Sequence, residues 1–300
     1  MASKLELPNL LIVGAAKSGT TSLHNYLKQH PQIFMSAHKE PHFLINSEIG
    51  ENRIHKAVLK FDDYKQMFKT QKNYLFKGES SVMYLAYPQY SIKNIKKYLS
   101  SKVKIIIMLR NPIERAYAGY LHNVRYNPLE NLSFEEAIAN SEERYKINKN
   151  ITPDTRYLHV GSYFTQVASF LTEFNDNVHI ILYDDYVKDI NYCFEKVFSF
   201  LGLESICIDT SIRHMEGGWK FKNNFLRNLL IPENKVKSFF KFVISNKKIR
   251  AILRKNLIHY GTVKTNSLNS KMREKLISYY REDIFKLQDL LKRDLTSWMK

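Results

Sequence analysis

The sequence predicts an α/β fold with a central, mainly parallel sheet flanked by helices, followed by a basic helical C-terminal part. Short apolar segments alternate with helix-like segments through the first two-thirds of the 300 residues, a pattern typical of strand–helix–strand units. A hydrophobic content of 44% can bury a sizeable core, and this length favours one domain. We therefore predict a single domain over residues 1–300, with an α/β core at 7–210 and an integral basic part at 211–300.

The first unit predicts a phosphate-binding loop between a strand and a helix. An apolar strand at residues 10–13 leads through a turn of small residues into a helix. Such a turn presents free backbone N–H groups at the positive end of a helix, which suits a phosphate. Gly14 and Gly19 have the spacing of the Walker A motif. However, Thr20 occupies the Walker lysine position and Lys17 lies three residues earlier. The fold is therefore predicted to be P-loop-like, in three layers, without a standard Walker A site.

Ionisable side chains follow the second predicted strand. That strand, at residues 33–35, leads into the segment 36–43, which includes Lys39, Glu40 and His42. Ligands of open parallel sheets collect at the carboxyl ends of the strands. We therefore expect this segment at the same edge as the first loop. The alternative is a solvated turn whose charges have no function.

A helix lies between the next two predicted strands along the sequence. Residues 74–81 predict a strand that ends in a small polar turn, and Pro88 begins a helix with a basic face. The uninterrupted apolar run at 103–109 predicts a central strand covered on both faces. This strand places Arg110 at the same edge of the sheet as the first loop. Pro112 lies in the first turn of the next helix. Arg110 suits planar, bidentate recognition of a phosphate; a structural ion pair is the alternative.

The remaining chain predicts one more strand and several helices. Ser133 and the acidic residues behind it indicate an N-capped helix over 133–146. Residues 213–222 indicate a glycine-hinged basic loop. The other predicted elements are a helix at 61–68, a loop at 148–154, a helix at 164–174, a strand at 178–183, a helix from 184 to about 202 and a last helix at 271–291.

Positive charge is concentrated towards the C-terminal end. The formal net charge is +17, and residues 220–300 hold 20 lysines and arginines against 6 acidic residues, a difference of +14. Such a field favours anionic partners, namely nucleotide phosphates, acidic glycans, anionic lipid or nucleic acid. Residues 225–258 are basic and amphipathic. They predict either a peripheral contact with an anionic membrane or helices that cover a nucleotide.

Composition also bears on the compartment. No stretch approaches 18 uninterrupted apolar residues, and the chain reaches its first strand without room for a signal peptide. Cys193 and Cys207 form a poor disulfide framework and lack the spacing of metal ligands. We expect reduced thiols in a cytoplasmic protein that uses no metal.

Several stretches together resemble the sulfotransferases that use 3′-phosphoadenosine-5′-phosphosulfate (PAPS), in the heparan-sulfate and bacterial carbohydrate branch. They occur in the order of that family and span nearly the whole chain. The first loop and the arginine motif are the specific matches. The stretches are GAAKSGTTSL at 14–23, KEPHF at 39–43, GESS with Tyr84 at 78–84, RNP with RAY at 110–117, and the segments 161–163, 181–185 and 293–298.

The resemblance implies a role for each matching residue. Lys17 stabilises the bridging oxygen of PAPS, and Arg110 binds its 3′-phosphate. Apart from the resemblance, we expect the basic loop at Lys220 and Lys222 to close over the nucleotide. Glu40 is the general base that deprotonates a hydroxyl or amine of a carbohydrate or glycolipid acceptor, and His42 is the competing candidate. No metal is needed because no polyphosphate is neutralised. The residues that bind the 5′-phosphosulfate are Ala16, Lys17, Ser18, Gly19, Thr20, Thr21 and Ser22.

Two positions depart from the family pattern, and two other functions compete. Ala118 occupies the position of a serine that hydrogen-bonds the 3′-phosphate, and Ser80 that of a lysine in the heparan-sulfate enzymes. An ATP-dependent P-loop kinase is one alternative, and Thr20 at the Walker lysine position argues against it. The other is a non-enzymatic module that binds nucleic acid or a membrane surface. The partners we expect are PAPS, its product 3′,5′-adenosine bisphosphate (PAP) and a sugar, with no nucleic acid.

Overall fold

A five-stranded parallel sheet lies at the centre of the chain. The computed structural model describes residues 7–50, 53–54, 56–211, 218–223, 225, 227–228, 257–258 and 260–300. The strands of the sheet are β1 (Leu10–Gly14), β2 (Ile33–Met35), β3 (Phe76–Ser80), β4 (Lys104–Leu109) and β5 (Val178–Leu182). They lie in the order β2-β3-β1-β4-β5, and every neighbouring pair is parallel. The predicted α/β fold with a central parallel sheet is confirmed.

Helices cover both faces of this sheet. Within the described residues they are α1 (Thr20–Leu27), α2 (Phe43–Ile49), α3 (Phe61–Gln66), α4 (Pro88–Tyr98), α5 (Pro112–Tyr126), α6 (Phe134–Ala139), α7 (Ser141–Ile147), α8 (Tyr157–Gly161), α9 (Tyr163–Phe174), α10 (Tyr183–Lys188), α11 (Ile190–Leu201) and α12 (Ser270–Leu291).

Alternate side chains of the central strands enter two separate cores. Leu11 and Ile105 belong to one core, to which α4, α9 and α12 contribute. Leu10 and Ile106 belong to the other, to which α1 and α11 contribute. Because successive residues of a strand point to opposite faces, a strand covered on both sides is apolar throughout. The three predicted layers are therefore confirmed.

The carboxyl ends of β1, β3 and β4 meet at one edge. The register between β1 and β4 shifts after Ile12, so that Gly14 pairs with Ile107. This irregularity lies where the chain leaves the sheet and enters the loop at 15–19. A Cβ atom at Gly14 would lie 2.5 Å from Cβ of Leu85, so only glycine fits here.

Two predicted helices are each divided. Residues 133–146 form α6 and α7, because Asn140 adopts φ −102° and ψ 4° and its Nδ2 donates to the carbonyl of Glu136 at 2.9 Å. An asparagine side chain that bonds its own backbone competes with the helix. The helix predicted to end near residue 202 is α10 followed by α11. Asp189 separates them, and its Oδ1 accepts the N–H of Tyr192 at 2.9 Å, which caps α11.

The basic loop predicted at residues 213–222 is in part a strand, so that prediction is wrong there. Residues Trp219–Phe221 form β6, which pairs antiparallel with β7 (Thr262–Lys264). Phe221, the last residue of β6, is buried. Residues 212–217 and most of the amphipathic segment 225–258 lie outside the described residues. The pairing joins positions far apart in the chain, which local patterns do not reveal.

The last predicted helix, at 271–291, is confirmed as α12. Its residues Met272, Leu276 and Tyr280 are buried in the same core as α9. Asp283 of α12 accepts the backbone N–H groups of Tyr163 and Phe164, so it caps α9 from outside that helix. No helix in the described ranges is long and apolar enough to cross a membrane.

Candidate active site

The loop between β1 and α1 ends in a conformation that requires glycine. Gly19 is left-handed at φ 95° and immediately precedes α1. A Cβ atom at this position would lie 3.1 Å from Cε of Met108. The first N–H groups of a helix have no acceptor within the helix. Those of Thr20 and Thr21, which begin α1, are therefore available to an anion at the positive end of the helix dipole.

Lys17 is the cation of this loop. Its backbone is left-handed at φ 66°, and its Nζ lies 3.3 Å from Nδ1 of His122 on α5. Burial lowers the pKa of Lys17 to about 8, and the positive charge of Arg125 contributes in the same direction. Since the pKa of Lys17 remains above neutral, its side chain is largely protonated at pH 7.

Arg110 lies beside the same loop. It follows β4, and its Nη1 donates to the carbonyl of Lys17 at 3.3 Å. Its guanidinium lies 5.0 Å from the centre of the Tyr183 ring, a distance at which cation–π attraction operates. The structure thus brings Arg110 and the first loop together at the predicted edge. Ala118 lies on α5, two turns after the start of that helix.

Glu40 and His42 form a hydrogen-bonded pair before α2. Nε2 of His42 lies 2.9 Å from Oε2 of Glu40, which also accepts the N–H of Val82 at 3.1 Å. The other carboxylate oxygen of Glu40 pairs with Nζ of Lys39. Burial alone would raise the pKa of Glu40, but the charge of Lys39 and the hydrogen bond from His42 outweigh it. They hold that pKa well below its usual range.

Glu40 and His42 differ in how much of each side chain is exposed to solvent. The side chain of Glu40 is 32% exposed, whereas that of His42 is 8% exposed. Nδ1 of His42 is buried and has no hydrogen-bond partner among the described residues, and Nε2 is occupied by Glu40. The imidazole therefore holds the carboxylate in place, and Glu40 is the more exposed side chain of the pair.

Lys220 lies on β6, and Lys222 follows the end of that strand. Lys220 and Lys222 are exposed, and the backbone N–H of Lys222 donates to Gly261 at 2.9 Å. Their predicted closure over a nucleotide stays a prediction. β6 is nevertheless tied to α5, because Arg125 donates to the carbonyl of Trp219 at 3.3 Å.

Sequence reasoning missed three charged or titratable residues around Lys17. His122 and Arg125 lie one turn apart on α5, and both influence Lys17. Asp154 is a partly buried carboxylate whose negative charge acts to raise the pKa of Lys17. The available signal was the spacing of His122 and Arg125, three residues apart in the helix that begins at Pro112. Among the described residues, no cluster of His, Cys, Asp or Glu has the arrangement of a metal site.

Together these features give a P-loop-like fold with a cationic edge suited to an anionic ligand. A loop that ends at a helix N-terminus follows β1, an arginine follows β4, and the partly buried Lys17 of the loop lies beside that arginine. A family model described as the sulfotransferase domain matches residues 7–288. The chain belongs to the sulfotransferase domain family.

Solved and curated relatives agree with this membership. The structure resembles the crystal structure of a sulfotransferase from Alicyclobacillus acidocaldarius, with a TM-score of 0.74 and 29% identity, covering 98% of this chain and 99% of that one. Carbohydrate sulfotransferase 15 of Mus musculus is 26% identical over 66% of this chain and 44% of its own length. The bifunctional heparan sulfate N-deacetylase/N-sulfotransferase 2 of Homo sapiens is 25% identical over 98% of this chain and 31% of its own length. The chain thus spans less than half the length of these two curated relatives.

Proposed function

We propose that the chain transfers the sulfuryl group of PAPS to a hydroxyl or amine of a carbohydrate or glycolipid. The observation that carries this proposal is the position of Lys17. It lies within the loop, three residues before the Walker position, and Arg110 donates to its carbonyl. One cation beside one bridging oxygen suits a phosphosulfate, whereas a triphosphate is bound with a Walker lysine and magnesium.

The donor is held at both ends by different groups. The N–H groups of the loop and the hydroxyls of Thr20, Thr21 and Ser22 bind the 5′-phosphate at the start of α1. Arg110 binds the 3′-phosphate through two parallel hydrogen bonds, for which a guanidinium is suited. A nucleotide that lacks the 3′-phosphate loses this second contact. The donor is therefore distinguished from ordinary adenylates.

The transfer needs a cation on one side of sulfur and a base on the other. The bond from sulfur to the 5′-phosphate oxygen breaks as the bond from the acceptor oxygen or nitrogen to sulfur forms. Lys17 stabilises the charge that develops on the leaving phosphate oxygen. Glu40 takes the proton of the acceptor, and PAP leaves with both of its phosphates.

The geometry favours Glu40 over His42 as the base. The imidazole of His42 uses Nε2 to bind Glu40, and its Nδ1 is buried. Neither nitrogen is presented to an acceptor in this arrangement. His42 instead orients the carboxylate and stabilises its charged form.

The carbohydrate class of the acceptor is supported by relatives whose names state carbohydrate or heparan sulfate. Lys39 and Arg125 add positive charge near the site, which is compatible with an acidic sugar. Ser80, which replaces the lysine of the heparan-sulfate enzymes, is buried and its Oγ lies 2.7 Å from Nδ1 of His24. No cation is therefore presented from this position, and the acceptor is expected to differ from heparan sulfate.

Two further parts of the proposal concern location. A cytoplasmic site of action is supported by Cys193 and Cys207, both free thiols. A peripheral membrane contact through residues 225–258 is supported by their basic, amphipathic sequence. Cell fractionation of the chain with and without a 225–258 deletion tests both: soluble recovery of both forms would leave no role for a membrane contact.

The experiment that tests the function is transfer from ³⁵S-labelled PAPS to a panel of acidic and neutral glycans, read by mass spectrometry. We expect labelled product from at least one glycan and none with γ-³²P-ATP and magnesium. Lys17→Met should lower transfer by at least about a hundredfold. Lys28→Met, which removes the same charge at the other end of α1, should retain the transfer activity. Phosphate transfer from ATP, or full activity of Lys17→Met, would refute the proposal.

A further inference from the structure

A second carboxylate lies buried behind the Glu40–His42 pair. Glu79, on β3, is fully buried and accepts hydrogen bonds from three hydroxyls. Tyr64 and Tyr84 donate to its Oε1 at 3.0 and 2.7 Å, and Ser81 donates to its Oε2 at 2.8 Å. Within the described ranges no lysine or arginine forms an ion pair with it. A buried carboxylate held only by hydroxyls is costly, so a purely structural core has little reason to contain one.

Two of these three hydroxyls also accept hydrogen bonds from the segment that carries Glu40 and His42. Oγ of Ser81 accepts the backbone N–H of His42 at 3.0 Å. The hydroxyl of Tyr84 accepts the N–H of Leu44 at 3.3 Å. Each of these two hydroxyls has one hydrogen, and it points at a carboxylate oxygen of Glu79. Their lone pairs are then available to the two backbone N–H groups.

The segment that they hold is in an unfavourable conformation. Glu40 and His42 are both left-handed, at φ 63° and 50°, although neither is glycine. Such residues persist only where their surroundings over-determine them. The N–H of Glu40 is fixed by the carbonyl of Ser80 at 2.9 Å, and that of His42 by Ser81. The turn is therefore held by Ser80, the last residue of the strand that carries Glu79, and by Ser81, which follows it.

We propose that Glu79 is a positioning residue of the sulfuryl transfer. It acts through Ser81 and Tyr84 to hold the left-handed turn that places Nε2 of His42 on the carboxylate of Glu40. Glu79 does not touch the donor or the acceptor. The inference rests on the proposed function, because positioning of Glu40 matters only if that carboxylate is the base.

The three hydroxyls provide a matched test. Tyr84→Phe and Tyr64→Phe each remove one donor to the same oxygen of Glu79, but only the Tyr84 hydroxyl also binds the 42–44 segment. Ser81→Ala removes the link to His42. These single-atom deletions retain the ring and backbone packing, and Glu79→Gln completes the series. The measurements are kcat, KM for PAPS, the Kd of PAP by calorimetry, and the pH dependence of kcat/KM.

We expect Ser81→Ala and Tyr84→Phe to lower kcat by about tenfold while the Kd of PAP stays within about twofold. In Ser81→Ala the acidic limb of kcat/KM should move to higher pH, because Glu40 loses the hydrogen bond that lowers its pKa. Tyr64→Phe should retain kcat. Equal losses in Tyr64→Phe and Tyr84→Phe, or wild-type kcat in all variants, would overturn the proposal.

A readout without turnover separates this inference from the proposed function. The imidazole ¹⁵N spectrum of histidine-labelled protein, assigned with His42→Gln, reports the bond from His42 to Glu40. We expect Ser81→Ala to shift the Nε2 signal and Tyr64→Phe to leave it in place; an unchanged signal in Ser81→Ala would contradict the inference. Failure of the wild-type chain to bind PAP would instead refute the proposed function.

Discussion

Nζ of Lys17 lies 3.3 Å from Nδ1 of His122, across 105 positions of the sequence. Burial, together with the charge of Lys17, lowers the pKa of His122 to about 3. The imidazole is therefore neutral at physiological pH and accepts a hydrogen bond from the lysine. This bond joins the phosphate loop to α5 and directs the cation of the loop.

The first prediction concerns the alkaline limb of activity. Lys17 stabilises the leaving oxygen only when protonated, and its pKa is lowered to about 8. Because kcat/KM reports the free enzyme, it should fall as pH rises through about 8. Arg125→Gln removes a charge that lowers the pKa of Lys17, so the limb should move to higher pH. A limb that stays in place in this variant would exclude Lys17 as the titrating group.

The second prediction concerns the acidic limb. The positive charge of Lys39 lowers the pKa of Glu40, and the base must be ionised to act. Lys39→Met should therefore raise that pKa and move the acidic limb of kcat/KM to higher pH. Lys286→Met removes the same charge from an exposed pair with Glu282 on α12 and should leave the limb unchanged. Identical profiles for both variants would argue against Glu40 as the base.

The third prediction concerns the 3′-phosphate. Ala118 lies on α5, at the position of a serine in the family, and cannot donate a hydrogen bond. Ala118→Ser should tighten PAP binding by roughly ten- to a hundredfold, the worth of one hydrogen bond to a charged group. Adenosine 5′-monophosphate, which lacks the 3′-phosphate, is the control ligand, and calorimetry is the measurement. Equal tightening for both nucleotides would show that the new hydroxyl acts elsewhere.

The fourth prediction concerns stability. Asp283 accepts the N–H groups of Tyr163 and Phe164, at 2.8 and 3.2 Å, from the neighbouring helix. Asp283→Ala leaves these groups without their acceptor and should lower the free energy of unfolding by about 1–2 kcal/mol. Asp289→Ala, at an exposed position of the same helix, should change it by less than about 0.5 kcal/mol. Urea unfolding compares the two, and equal effects would remove any special role for the cap.

Much of the fold can be predicted from the sequence, because the central strands are uninterrupted apolar runs. β1 and β4 are apolar throughout, since both faces of these strands are covered. The division of the helix at Asn140 depends on one side chain that bonds its own backbone, a choice that periodicity does not show. The pairing of β6 with β7 depends on tertiary contact between distant segments.

Part of the candidate site can likewise be predicted from the sequence, and part cannot. Lys17, Glu40 and Arg110 belong to local motifs at strand ends, so the sequence predicts them. His122 and Arg125 reach the loop only through the orientation of α5. Glu79 looks like part of a polar turn in the sequence, and its complete burial is visible only in the structure.

The most direct test of the account is calorimetric titration of the chain with PAP, adenosine 5′-monophosphate and ATP with magnesium. PAP should bind at least about tenfold more tightly than the monophosphate, because a bidentate contact from Arg110 to the 3′-phosphate is lost in the latter. Arg110→Met should abolish that difference. Binding of ATP with magnesium but not of PAP, or equal affinity for PAP and the monophosphate, would contradict the account.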